Sequence, residues 1–160
     1  MRYLTVFIAL ADRDEMVYLA SVRLGSRTSV RTVMPGQRIP MDSTSLGRAW
    51  LSTLSVEQRA SLFELFRLRH PRHWDAIKEE IDSAIAGVHT LGYCAASWLP
   101  NVVALATPVV LGGDGGYALN VSVTTDEPIE GAVARLRGPL LVLAERIRAA
   151  PDFIPHKGRH

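Results

Sequence analysis

Alternation dominates the start of the chain. Tyr3 to Leu10 is a β-rich run and Glu15 to Arg23 is a second, with the polar stretch Ala11-Asp12-Arg13-Asp14 between them. Two such runs joined by a short polar link predict an antiparallel hairpin. From Thr28 to Met34, Val30, Thr32 and Met34 alternate with Ser29, Arg31 and Val33. That pattern predicts a third strand, ending at the turn Pro35-Gly36-Gln37.

The period then lengthens. In the stretch Pro40 to Leu51, Ser43, Thr44 and Ser45 can each cap a helix, and Leu46, Ala49, Trp50 and Leu54 recur at helical spacing. A helix over Thr44–Leu54 follows. Its N-terminus presents backbone N–H groups and a positive dipole, which suit a small anion. Ser55 and Gln58 make a capping box for a second helix carrying Leu62, Phe63, Leu65 and Phe66. After a basic loop from Arg67 to His73, Ile77, Ile81, Ile85 and Val88 predict a helix over Asp75–Thr90, stopped at Gly92. Strands are expected at Cys94–Leu99, Val102–Leu111 and Tyr117–Thr124, the last two joined by the glycine-rich connection 112–116. Asp126–Ala150 is the final helical region, with Gly138-Pro139 as the place where it would break. The order β-β-β, α-α-α, β-β-β-α predicts an α+β domain: one antiparallel sheet with helices packed on it.

Composition narrows the class. The 160 residues match one domain, 48% are hydrophobic and 21% charged, as in an ordinary globular chain. The net charge of +2 is spread over scattered arginines, Lys78 and Lys157 being the only lysines, so no stripe resembles a nucleic-acid footprint. Cys94 is the only cysteine, which excludes an internal disulfide and a cysteine metal cluster and fits a reducing cytoplasm. No apolar stretch reaches the roughly 18 residues of a membrane helix. Residues 151–160 read as a flexible tail.

Familiar catalytic motifs are missing. The glycine-rich connection lacks the Lys-Ser/Thr of a phosphate loop, and neither His-Glu-x-x-His nor Gly-x-Ser-x-Gly occurs. His70 and His73 lie in the basic loop without a third ligand near them, and Glu79, Glu80 and Asp82 read as a solvated helix face. Cys94 reads as a buried structural cysteine, since Ala95 and Ala96 offer no base. What remains is a binding site. Asn120 and Ser122 share one face of their strand, and Ala104 and Ala106 share one face of the strand before it. Small residues beside polar ones leave room and hydrogen-bonding groups together. The alternative has Asn120 and Ser122 facing water and Val121 and Val123 facing the core; periodicity does not choose.

Ordered motifs along nearly the whole chain resemble the effector-binding domain of the IclR family of bacterial transcription regulators. They are Val17-Tyr18-Leu19-Ala20, Leu24-Gly25-Ser26-Arg27, Pro40-Met41, Ser45-Leu46-Gly47-Arg48-Ala49, Leu91-Gly92-Tyr93, Leu105-Ala106-Thr107-Pro108-Val109 and Ala118-Leu119-Asn120-Val121-Ser122-Val123, closed by the amphipathic helix near Leu140–Ile147. The resemblance implies a GAF/PAS-like curved antiparallel sheet of about six strands, over residues 1–150. It also implies control of an N-terminal winged helix-turn-helix domain, which this chain does not include, so DNA enters only through that absent domain. The family's pocket positions fall on Met41, Ser45, Leu46 and Gly47 at the helix start, on Ala96 and Trp98 after Gly92-Tyr93, and on Ala104, Asn120 and Ser122 in the central strands. Where members with small-acid effectors often carry an acidic residue after Gly-Tyr, this chain has Cys94-Ala95-Ala96-Ser97-Trp98. The expectation is a cytoplasmic, non-enzymatic sensor of a small, aromatic or branched organic acid, acting as a homodimer or tetramer without cofactor or metal. Its carboxylate would sit on the amides of Ser45 to Gly47. The alternatives are a GAF-like redox enzyme using Cys94 and an oligomerisation module without ligand.

Overall fold

The computed structural model describes residues 4–24, 35–97, 99–111 and 116–150. Among these, six strands form one antiparallel sheet: β1 (Leu4–Asp12), β2 (Glu15–Leu24), β3 (Arg38–Pro40), β4 (Cys94–Ala96), β5 (Val102–Val110) and β6 (Gly116–Thr124). Their spatial order is β3-β2-β1-β6-β5-β4. Four helices join them: α1 (Ser45–Leu51), α2 (Val56–Arg69), α3 (Trp74–Leu91) and α4 (Ile129–Ala149). The α+β architecture and the curved six-stranded sheet are as expected.

The β1–β2 hairpin turns at Arg13 and Asp14, with Arg13 at φ 58°. A bulge between Ile8 and Ala9 shifts the register part-way along the pair. The strand expected at Thr28–Met34, Trp98 and the connection 112–115 lie outside the described residues, as do 151–160. On the edge of β2 away from β1, the strand that pairs with it among the described residues is Arg38–Pro40. Arg38 ties it to the hairpin through Asp12 (2.7 Å) and Glu15 (3.0 Å).

Both faces of β5 and β6 are covered, which is why β5 reads as a continuous apolar run. On one face Leu105, Val109, Leu119, Val121 and Val123 pack against Leu136, Leu140 and Ala144 of α4. On the other, Ala9, Met16, Tyr18 and Ala118 pack beneath Met41, Leu46 and Leu51, with Phe66 of α2 and Ile81 of α3 behind them. The helix expected to break at Gly138-Pro139 does not: α4 runs through Pro139. Arg135, Gly138 and Pro139 are all exposed, so the carbonyl that proline leaves without an amide partner belongs to the solvent side of the helix, where such a loss costs least.

Candidate functional site

α1 is seven residues long, and its placement depends on Gly47. Thr44 caps the helix: its Oγ1 accepts from the Gly47 N–H (3.2 Å) and donates to the Pro40 carbonyl (2.5 Å). The first turn is thereby pressed onto the segment it follows. A Cβ at Gly47 would lie 2.0 Å from the Met41 carbonyl oxygen and 2.4 Å from Met41 Cα. A second contact seats the other end of α1. The Trp50 indole lies over Gly116 of β6, where a Cβ would come within 1.9 Å of Nε1.

Below α1, the sheet register lines up two rows of side chains. Cys94, Ala106, Asn120, Phe7 and Ser21 follow one another across β4, β5, β6, β1 and β2. Ala96, Ala104, Ser122, Thr5 and Arg23 form the next row. All ten share the α1 side of the sheet, because cross-strand partners point the same way. Asn120 is only 6% exposed and Ser122 is half-buried, so the alternative with both facing water is wrong. Only the other half of that alternative holds: Val121 and Val123 face a core, because α4 covers that side. Phe7 stacks on Tyr18, centroids 4.7 Å apart, and walls the region toward the hairpin.

Met41, Ser45, Leu46 and Gly47 are buried together above this surface, Ala104 and Asn120 are buried within it, and Ala96 and Ser122 are half-buried. The Cys94 thiol donates to the Ser45 carbonyl (3.5 Å), fixing the helix start over the first row. Two buried polar atoms stand out: Ser45 Oγ and Asn120 Oδ1 have no hydrogen-bond partner among the described residues. Native interiors leave few such atoms. Of the three amides expected to hold a carboxylate, from Ser45 to Gly47, the Gly47 N–H is already taken by the Thr44 side chain.

Three groups in this region are not among the residues singled out from the sequence: Thr5, Ser21 and Arg23. Each occupies an every-second position between apolar neighbours (Leu4 and Val6; Val22 and Leu24). That period is the signal that could have found them. Two further clusters flank α1. Asp42, just before it, is buried with its carboxylate 2.8 Å from His70 Nε2 and 4.0 Å from Arg69. Arg69 also pairs with Asp14. Asp42, His70 and Arg69 line a cavity of about 440 Å³ with Glu15, Pro40 and Ser43. Arg48 is buried, bonded through Nε to the Asp42 carbonyl (3.0 Å) and through Nη2 to Glu80 (2.8 Å). Glu80 is therefore more than part of a solvated face, and His70 more than a loop residue. Among the described residues no group of three His, Cys, Asp or Glu side chains is placed to hold a metal.

Burial pushes the Cys94 thiol up to about 12, with the nearby Arg48 charge pulling the other way. At neutral pH the group is a thiol, which removes the nucleophile that a redox enzyme would need. The shift has a stability consequence. An unfolded cysteine ionises near pH 8.5, whereas the folded one keeps its proton, so between about pH 8.5 and 12 the folded state binds more protons. Stability should fall as pH rises through that window, by at most ~1.4 kcal/mol per pH unit. Urea titrations at pH 7.5 and 10 are expected to show a loss in the parent chain that is smaller in Cys94→Ala. An equal loss in both would contradict the burial of the thiol.

No family model and no curated protein sequence matches the chain. Solved structures do. An IclR-family transcriptional regulator from Brucella abortus aligns with TM-score 0.76 and 28% identity, over 88% of this chain and 53% of its own. This chain thus spans about half the length of that regulator. A double mutant of the inducer-binding domain of the Acinetobacter transcription factor PobR, in complex with 3-hydroxybenzoic acid, aligns with TM-score 0.67 and 24% identity, over 91% of this chain and 87% of that one. The C-terminal domain of the E. coli regulator KdgR aligns with TM-score 0.68 and 21% identity, over 91% and 86%. No helix among the described residues is long and apolar enough to cross a membrane. In fold the chain is similar to the effector-binding domains of IclR-family transcriptional regulators.

Proposed function

We propose that the chain senses a small organic acid bound between α1 and the sheet, and that it controls a DNA-binding domain joined to it in the full-length protein. The observation that carries this reading is the pair of buried, unpartnered atoms Ser45 Oγ and Asn120 Oδ1, one on the roof and one on the floor of the same region. A buried polar atom left without a partner costs roughly 1–3 kcal/mol, and a ligand that satisfies it recovers that energy on binding. Ser45 would donate to the carboxylate and Asn120 would accept from a ligand hydroxyl. Ser122 and Thr5 lie in the adjoining row, which ends at Arg23, the charge that best matches an acid. Met41, Leu46, Ala104 and Phe7 supply apolar surface for an aromatic or branched body, and Ala96 borders it. Trp98 belongs to the same proposed set by its place in the chain.

The double mutant of the PobR domain, of the same fold, holds 3-hydroxybenzoic acid, a ligand carrying a carboxylate, a ring and a hydroxyl. That chemistry supports an aromatic acid here. Two or three hydrogen bonds involving the charged group, at roughly 1.5–3 kcal/mol each, give micromolar affinity with apolar burial after the entropic cost of association. Occupancy would shift the packing of α1, and homodimer or tetramer contacts would carry the change to the DNA-binding domain if the two states differ in ligand affinity. The proposed setting is the cytoplasm, with no cofactor and no catalysis.

A thermal-shift panel of small carboxylic acids, 3-hydroxybenzoate included, tests the reading. Ligand at about 100 times its dissociation constant should add roughly 2.7 kcal/mol of stability and raise Tm by several degrees. Neutral amides of the same acids should do much less. A panel in which no acid moves Tm would refute the proposal.

A further inference from the structure

We propose that the cleft between α3 and β4 is a second binding site, for a zwitterionic, amino-acid-like molecule, with Arg48 holding the carboxylate and Glu80 the ammonium group. The cleft is large enough: its volume is about 890 Å³, within the range of small-molecule pockets. Of the residues assigned to the first site, only Ala96 reaches it. Neither site needs the other.

Arg48 is the unusual group. Its side chain is 9% exposed, so its charge is held largely out of water, yet its ion-pair partner, Glu80, is 63% exposed. Among the described residues the pair makes one bond, from Nη2 to Oε2. A guanidinium edge matches a carboxylate with two parallel bonds, so Glu80 uses half of what Arg48 offers. Glu80 sits on a helix surface and can turn to water at little cost. Arg48 cannot leave, because its Nε is bonded to the Asp42 carbonyl beneath α1. A free carboxylate entering the cleft can therefore take over the guanidinium.

The charge balance selects the ligand. Glu79 and Glu80 both line the cleft against the single positive charge of Arg48. A simple carboxylate would meet two like charges, and a simple amine would meet a cation at the floor. A molecule carrying both signs leaves neither Arg48 nor Glu80 alone. Between the charges the walls are small or apolar (Ala84, Leu91 and Ala96), which suits an aliphatic side chain of modest size.

The test uses calorimetric titration of the chain with the common L-amino acids, followed by the desamino acid and the decarboxylated amine of the tightest binder. At least one amino acid should bind, with both analogues roughly tenfold weaker or worse. Glu80→Gln should weaken the amino acid and strengthen the desamino acid, because it removes the ammonium partner and the competitor for Arg48 together. Arg48→Lys, which keeps the charge and loses the fork, should weaken the amino acid by roughly tenfold. Should that variant fold poorly, Ser83→Trp, an exposed change at the cleft wall, blocks the site instead. Asn120→Val should leave amino-acid binding unchanged. The proposal fails if no amino acid binds, if the analogues bind equally well, if Glu80→Gln has no effect, or if Asn120→Val abolishes binding and so assigns it to the site under α1.

Discussion

Gly47→Ala is expected to destabilise the domain by about 3 kcal/mol and to lower Tm by roughly 6–12 °C, without any ligand present. The reason is geometric. The new methyl would overlap the carbonyl oxygen and Cα of Met41, both backbone atoms, which cannot turn aside as a side chain can. Relief requires α1 to lift from the Met41 segment, which breaks the Thr44 cap and loosens Leu46 and Leu51, both fully buried. Gly138→Ala is the control. It lies exposed in α4 with nothing within 4 Å of the added carbon, and it should stabilise by roughly 0.5–1 kcal/mol. Differential scanning calorimetry of both variants checks the pair. A Gly47→Ala protein as stable as the parent would show that α1 is not seated as described.

Asp42→Ala should cost about 2–3 kcal/mol, or roughly 5–10 °C in Tm. Asp42 is 1% exposed and sits where the chain enters α1, so its carboxylate joins that entry to the end of α2 through His70 and Arg69. Breaking a buried ion pair usually costs more, up to about 5 kcal/mol, because a charge is stranded out of water. Here both partners are at least one-third exposed and can hydrate, which sets the lower figure. Asp42→Asn keeps the shape and one acceptor, and should lose roughly half as much. Urea unfolding of the two variants measures the difference. If Asp42→Asn costs as much as Asp42→Ala, the charge is what holds the two elements together; if neither has an effect, the link is not structural.

The elements that local signals specify were legible in the residues. The capping box of Ser55 and Gln58 forms as written, with both of its hydrogen bonds. Gly92 ends α3 in the left-handed conformation at φ 88°. α1 begins where three hydroxyl residues offered a cap, and Thr44 is the one used. The face of β6 that carries Asn120 was legible as one face, but its burial was not, because β6 is covered on both sides and alternation then loses its meaning. Thr5 comes beside Ser122 only through strand register, which joins positions more than a hundred residues apart, and Arg23 follows on the far side of Thr5. The same holds for Arg48 with Glu80 and for Asp42 with His70, pairs made by helix packing that no spacing announces. The continuity of α4 through Pro139 depended on its solvent side, which the sequence carried only weakly.

Titration of Asn120→Val with an acid that binds the parent chain, alongside its Tm without ligand, addresses the sensing site most directly. Valine suits a strand and removes an acceptor that has no partner among the described residues. The acid-binding account predicts an unliganded Tm equal to or above the parent's and an affinity for the acid at least roughly tenfold lower. A variant that loses several degrees of Tm and still binds the acid as tightly as the parent would contradict it.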